Sequence, residues 1–143
     1  MAKYVLGSPY VRGNSDVITS YEDTTGAIAA GVAVARKSDG SVQLPASGAL
    51  LGISGAREPL NHLSVVRQGL MVPVRLAEGV TPTVGAAAYV TSAGLFTTAS
   101  DGNTATGAVF TGDKDGNAAI TGIDPNTGAE VAGCGLVDIV GGL

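Results

Sequence analysis

Between Leu63 and Val90 the chain reads LSVVRQGLMVPVRLAEGVTPTVGAAAYV. Leu70, Val72, Val74 and Leu76 fall on alternate positions, with Met71, Pro73, Arg75 and Ala77 between them. This period of two predicts a strand with two unlike faces. The Leu70, Val72, Val74, Leu76 face is expected in the core, and the Met71 and Arg75 face is expected to meet a partner. A connector, Gly79 to Gly85, leads to a second apolar run, Ala86 to Thr91, which the Ser92-Ala93-Gly94 turn joins to Leu95–Thr98 as a hairpin.

The same pattern recurs along the chain. Ala27 to Arg36 predicts a strand with Ile28, Ala30, Val32 and Val34 in phase, and Ser38-Asp39-Gly40 turns it toward Val42 and Leu44. Ala49 to Ser54 is a further apolar run. Gly69, between Leu63–Val66 and Leu70–Leu76, predicts a bulge that resets the register. After a polar loop at Asp101–Thr106 come strands at Ala108–Thr111, Ala118–Ile123 and Glu130 to about Val140, separated by turns at Asp113–Gly116 and Asp124–Gly128. Eight to ten short strands without an amphipathic helix predict an all-β fold: a single small domain of β-sandwich or jelly-roll-like form, or a small barrel.

Residues 1–25 differ. Three of the four Tyr (Tyr4, Tyr10, Tyr21) lie there, with Pro9, Gly13 and Asn14 and little alternation. Two readings stand side by side: an extended N-terminal arm that reaches a neighbouring subunit, or an irregular edge strand on its own domain, which is then residues 26–143.

Composition narrows the function. With 143 residues, no Trp, two Phe and 22 Gly without a Gly-X-Y period, one core of small side chains is expected, and oligomerisation or a partner surface would support it. Residues 1–75 carry seven Lys/Arg against five Asp/Glu, and residues 76–143 carry one Lys against seven acids. That balance excludes nucleic-acid wrapping, which needs clustered positive charge. The N-terminus lacks the apolar core of a signal peptide, and no run approaches the ~20 apolar residues of a membrane helix. The product is expected in a cytoplasm, away from membranes.

Candidate chemistry is sparse. Cys134 stands alone, so it forms neither an intrachain disulfide nor a Cys-rich metal site. Gly52-Ile53-Ser54-Gly55-Ala56 matches a nucleophile elbow except at its fifth position, and no helix pattern follows. Asp113-Lys114-Asp115-Gly116-Asn117 with Asp124 approaches a calcium loop but has Ala118 where the sharp turn needs Gly. The single His62 lies in a polar stretch. Arg57, Arg67 and Arg75 form the one basic concentration and suit salt bridges to an acidic protein surface. No enzyme activity, cofactor or metal is expected.

The chain resembles the head decoration, or cement, proteins of tailed double-stranded DNA bacteriophages. The likeness lies in Ser64-Val65-Val66-Arg67-x-Gly69 leading to LMVPVRLAEG, in Thr81-Pro82-x-x-Gly85 before Ala88-Tyr89-Val90, in the Gly94 turn and in Leu136-Val137-Asp138-Ile139. The resemblance implies a virion protein on the outer surface of the capsid, bridging neighbouring major capsid protein subunits against the pressure of packaged DNA. It also implies a homo-oligomer, a dimer ahead of a trimer. Tyr4, Tyr10, Arg12, Arg57, His62, Arg67, Met71 and Arg75 are the expected contact residues, since Tyr and Arg dominate the energetic centres of interfaces. A carbohydrate- or receptor-binding module of a tail is the alternative, although the chain has few of the aromatics that sugar sites present.

Overall fold

The structure, a computed structural model, describes residues 3–22, 28–45 and 49–143, without the side chains of residues 12–14. It is all-β, with no helix among the described residues. The strands are β1 (Tyr4–Val5), β2 (Val11–Tyr21), β3 (Ala33–Arg36), β4 (Val42–Gln43), β5 (Leu50–Glu58), β6 (His62–Arg75), β7 (Ala87–Val90), β8 (Phe96–Thr97), β9 (Thr104–Thr111), β10 (Ala119–Ile123) and β11 (Glu130–Ile139).

The longest strand, β6, organises the rest. Its first half pairs with β5 and β2, and its second half pairs with β11. The main path runs β4-β3-β5-β6-β11-β9-β7-β8, with β1 alongside β10 and β10 alongside β11. Both ends of the path return to its middle. Glu22, just after β2, bridges Val42 of β4, and Leu76, just after β6, bridges Phe96 of β8. Each half of the sheet thereby curls on itself, which covers edges that would otherwise template aggregation.

Curling explains the core. One cluster joins Ala33, Ile53 and Val66 to Val72, Val74, Val90, Phe96, Phe110, Val137 and Ile139. A second holds Ile28, Val32, Val34, Val42, Leu63 and Val65. Strands β3, β5 and β6 therefore bury side chains on both faces, and Val65 and Val66 are both fully buried. A small third cluster places Leu6 against Ala30 and Cys134. Burial pushes the Cys134 thiol pKa upward, so it acts as a small apolar core residue.

The expected turns form. Asp39 accepts hydrogen bonds from the Ser41 amide and hydroxyl, the Thr91–Leu95 turn closes the β7–β8 hairpin, and the Asp113–Asn117 turn joins β9 to β10, which each pair with β11 rather than with each other. Three expectations are corrected. The strand expected over Ala27–Arg36 begins only at Ala33, and its first residue lies outside those described. Gly31 interrupts it with φ +86, donating to Ser54 O and accepting from Arg75 N, both at 2.8 Å. The polar Asp101–Thr106 loop already becomes β9 at Thr104. Leu70 is not core but 39% exposed, because the bulge expected at Gly69 falls one step later. Val137 opposes Val72 while Ile139 opposes Gly69, so Leu70 and Met71 share one place in the ladder.

Residues 3–22 lie on the chain's own domain. β1 runs parallel to β10, and β2 is antiparallel to β6 from Val11↔Leu70 to Tyr21↔His62.

Candidate functional site

The N-terminal segment follows one edge of β6, and it gathers exposed aromatic and aliphatic residues at both ends of that strand. At the C-terminal end Gly7 N donates to Pro73 O and Tyr10 N to Met71 O. These bonds place the Tyr4 and Tyr10 rings 4.9 Å apart, centroid to centroid. The two rings, Met71 and the Gly112–Lys114 turn line a cleft of about 240 Å³. Tyr4 is buried at its base and Tyr10 is 45% exposed. Met71 has φ +51, and the Asp138 carboxylate accepts its amide at 2.9 Å. A left-handed conformation costs a non-glycine residue about 1–2 kcal/mol.

At the other end, Pro59-Leu60-Asn61 joins β5 to β6 across the Glu58↔His62 pair. Leu60 (φ +62) and Asn61 (φ +59) are both left-handed, and Leu60 is 83% exposed. Asn61 tolerates this backbone well and Leu does not. The His62 ring lies 4.1 Å from the Tyr21 ring, with Nδ1 at 3.2 Å from Pro59 O and 3.1 Å from Leu60 O. Tyr21 is 57% exposed.

The expected contact residues thus divide. Tyr4, Tyr10 and Met71 meet in one cleft, and His62 anchors the opposite tip. Arg57 and Arg75 turn inward. Arg57 donates from Nη2 to Ile28 O at 2.6 Å, and its Nε lies 3.4 Å from the buried carboxylate of Glu22. Arg75 donates to Ala30 O at 2.8 Å and to Asp124 at 3.0 Å, tying β6 to the Asp124–Gly128 turn. Arg67 is exposed and bound to Asp16 through Nε (2.9 Å) and Nη2 (2.7 Å). The Arg12 side chain lies outside the described residues. Sequence reasoning passed over Leu60; the one available signal was a large apolar residue in a short strand-to-strand turn without glycine.

The motifs considered for chemistry have structural work. Ser54 is fully buried; its Oγ donates to Ala29 O at 2.6 Å and accepts from Val32 N at 3.2 Å. It fastens the irregular 28–32 segment to β5. Ser54→Ala is therefore expected to destabilise the fold by about 1–3 kcal/mol, the cost of unpartnered buried groups; an unchanged midpoint in urea unfolding would remove this role. Asp113 accepts from the Asn117 and Asp115 amides, both at 2.9 Å, and from Asn117 Nδ2 at 3.2 Å. The Asn117 amide contributes most to holding its pKa below the ordinary carboxylate range. That carboxylate faces its own turn. Among the described residues, no group of three or more His, Cys, Asp or Glu side chains is placed to hold a metal ion.

The chain is similar to a family of known proteins and, in fold, to a solved structure. The family model described as structural cement protein (E217 gp24/Pam3 gp6) matches residues 1–124. A chain in the solved structure of the capsid of Myoviridae phage XM1 superposes with a TM-score of 0.72 at 18% identity, covering 100% of this chain and 94% of that one. No match was found among curated proteins.

Proposed function

The chain belongs to the phage structural cement protein family, and from that membership we propose that it binds the outer surface of an assembled capsid and fastens neighbouring major capsid protein subunits together. The observation that carries this reading is the family match over residues 1–124. The family is structural, so the work is adhesion. An interface of ~800 Å² per partner holds specifically, and repeated contacts from linked copies raise avidity by ~10² to 10⁴. Binding as a homodimer, the assembly favoured by the family resemblance, would supply that linkage.

The domain suits such a load. Both ends of its sheet are tied back to the middle, and Arg57 and Arg75 tie loops to strands. We place the contact surface on the N-terminal segment and β6, where Tyr10, Tyr21, Leu60 and Leu70 are exposed. The test is co-sedimentation with shells assembled without this protein, with stoichiometry measured per major capsid subunit. Saturable binding that raises the temperature at which shells rupture is the expected result. Absence of binding in physiological salt would defeat the proposal.

A further inference from the structure

The two halves of the sheet are built alike. The first runs through β2, β6, β5, β3 and β4, and the second through β6, β11, β9, β7 and β8, each closed by a parallel bridge between its first and last strand. The bridges correspond: Glu22↔Val42 recurs as Leu76↔Phe96, 54 residues further on. The same offset carries the hairpin register Ala35↔Gln43 and Arg36↔Val42 onto Tyr89↔Thr97 and Val90↔Phe96. It also carries the turn bonds, Lys37 N to Ser41 O and Gly40 N to Lys37 O, onto Thr91 N to Leu95 O and Gly94 N to Thr91 O. Left-handed Gly31 and Gly40 return as left-handed Gly85 and Gly94. Few residues are identical at that spacing, so the repeat lies in the backbone. We infer that the domain is an internal duplication in which β6 ends the first unit and begins the second, and that the outer edge of β2, the one contact the duplication leaves unfilled, pairs in solution with β2 of a second copy.

β2 stands in the first unit where the second half of β6 stands in the second, so Val17, Thr19 and Tyr21 correspond to Met71, Pro73 and Arg75. In the second unit that edge is filled. Met71 O accepts from Tyr10 N, Pro73 O accepts from Gly7 N, and Arg75 N donates to Gly31 O. In the first unit Glu22 N donates to Asn61 O, so Ser20 and Ile18 also face β6, while Val17, Thr19 and Tyr21 turn their backbone groups outward. Among the described residues no strand pairs with that edge. Nor is it guarded. Val17-Ile18-Thr19-Ser20-Tyr21 carries neither charge nor proline, the usual protections of an edge, and Val17 and Tyr21 are 49% and 57% exposed.

A second copy fits because an antiparallel edge is complementary to itself about a two-fold axis. Glu22 is already bridged to Val42, so the free ladder ends at Tyr21 and centres on Ile18. Val17 then lies opposite Thr19 of the partner subunit, which matches donors with acceptors and sets β-branched side chains against each other. Charge permits the pairing. Asp16, just before the run, is held by Arg67 of its own chain, and the antiparallel arrangement carries that neutral pair toward the other copy's 36–41 turn, where Arg36 and Lys37 outnumber Asp39. The inference deepens the homodimer of the proposed function and rests on that reading for its use in avidity.

Sedimentation of the free protein across concentrations tests it. Wild type should be a dimer that dissociates on dilution. Thr19→Pro removes only an outward N–H, as Pro73 does at the corresponding place, so the thermal midpoint should hold while dimer affinity falls about tenfold or more. Thr19→Lys puts a charge on the edge without altering the backbone and should act likewise, whereas Val84→Lys, on the exposed 79–85 connector, should leave association unchanged. A monomeric wild type, or Thr19 variants that associate like wild type, would overturn the pairing. A Thr19→Pro chain that does not fold would overturn the correspondence with Pro73, and Thr19→Lys then reads the edge alone. Dimers that do not bind shells would defeat cementing and leave the pairing standing.

Discussion

A chain lacking residues 1–10 is expected to lose its cooperative thermal transition. Leu6 is fully buried against Ala30 and Cys134, and removing a buried leucine side chain costs about 2–5 kcal/mol. The bonds from Leu6 N to Ile123 O, Gly7 N to Pro73 O and Tyr10 N to Met71 O go with it, at about 1 kcal/mol each. The sum approaches the whole stability of a domain, about 5–15 kcal/mol. Gly7 sharpens the case, because it takes φ +73 and a Cβ there would meet Ser54 O and come within 2.6 Å of Gly55 Cα. Gly7→Ala should therefore destabilise by about 2–4 kcal/mol, from overpacking plus an unfavourable backbone. Circular dichroism melts and amide exchange of the truncated chain measure the effect. A wild-type midpoint after truncation would mean that residues 1–10 are not integral to the domain.

The parts legible in sequence are those fixed by local chemistry. Asp39-Gly40, Ser92-Ala93-Gly94 and Asp113-Lys-Asp-Gly impose their turns through side-chain caps and permissive glycines, so β7, β8, β10 and β11 lie close to where they were expected. Periodicity failed where it assumes an unbroken pleat. One extra residue at Leu70–Met71 moves Leu70 off the core face, while Val72 and Val74 stay on it. Along Ile28–Ala35 the chain is buried on nearly every residue, so apolar spacing carried no information about where the strand began.

The candidate site divided for a different reason. Tyr4, Tyr10 and Met71 come together because β1 and the β6 bulge are brought side by side, a contact between residues some sixty positions apart that no local pattern encodes. Arg57, Arg67 and Arg75 read as a basic cluster because they are near in sequence. In the fold Arg57 and Arg75 satisfy backbone carbonyls of the 28–30 segment, and that need arises from the segment's irregular course. Leu60 stayed hidden because its signal is a backbone angle.

Phe96→Ala should produce the largest single-residue loss of stability, about 3–5 kcal/mol. Phe96 is fully buried, sits in the short β8, and accepts the Ala77 amide on its carbonyl at 2.8 Å while Leu76 bridges to it. It therefore fills the cluster shared by both halves of the sheet and closes the second curl at the same position. Its cluster includes Ala33, Ala88 and Ala108, whose short side chains cannot swing into a vacated ring, so the cavity should persist. For a domain of this size the loss corresponds to a fall of roughly 10–15 °C in melting temperature. Phe96→Leu keeps much of the volume and should cost about 1–2 kcal/mol. If Phe96→Ala melted within a few degrees of wild type, the β8 closure would not be what holds the two halves together. If the chain cements a shell as proposed above, the same variant should also lower the rupture temperature of decorated shells toward that of bare ones.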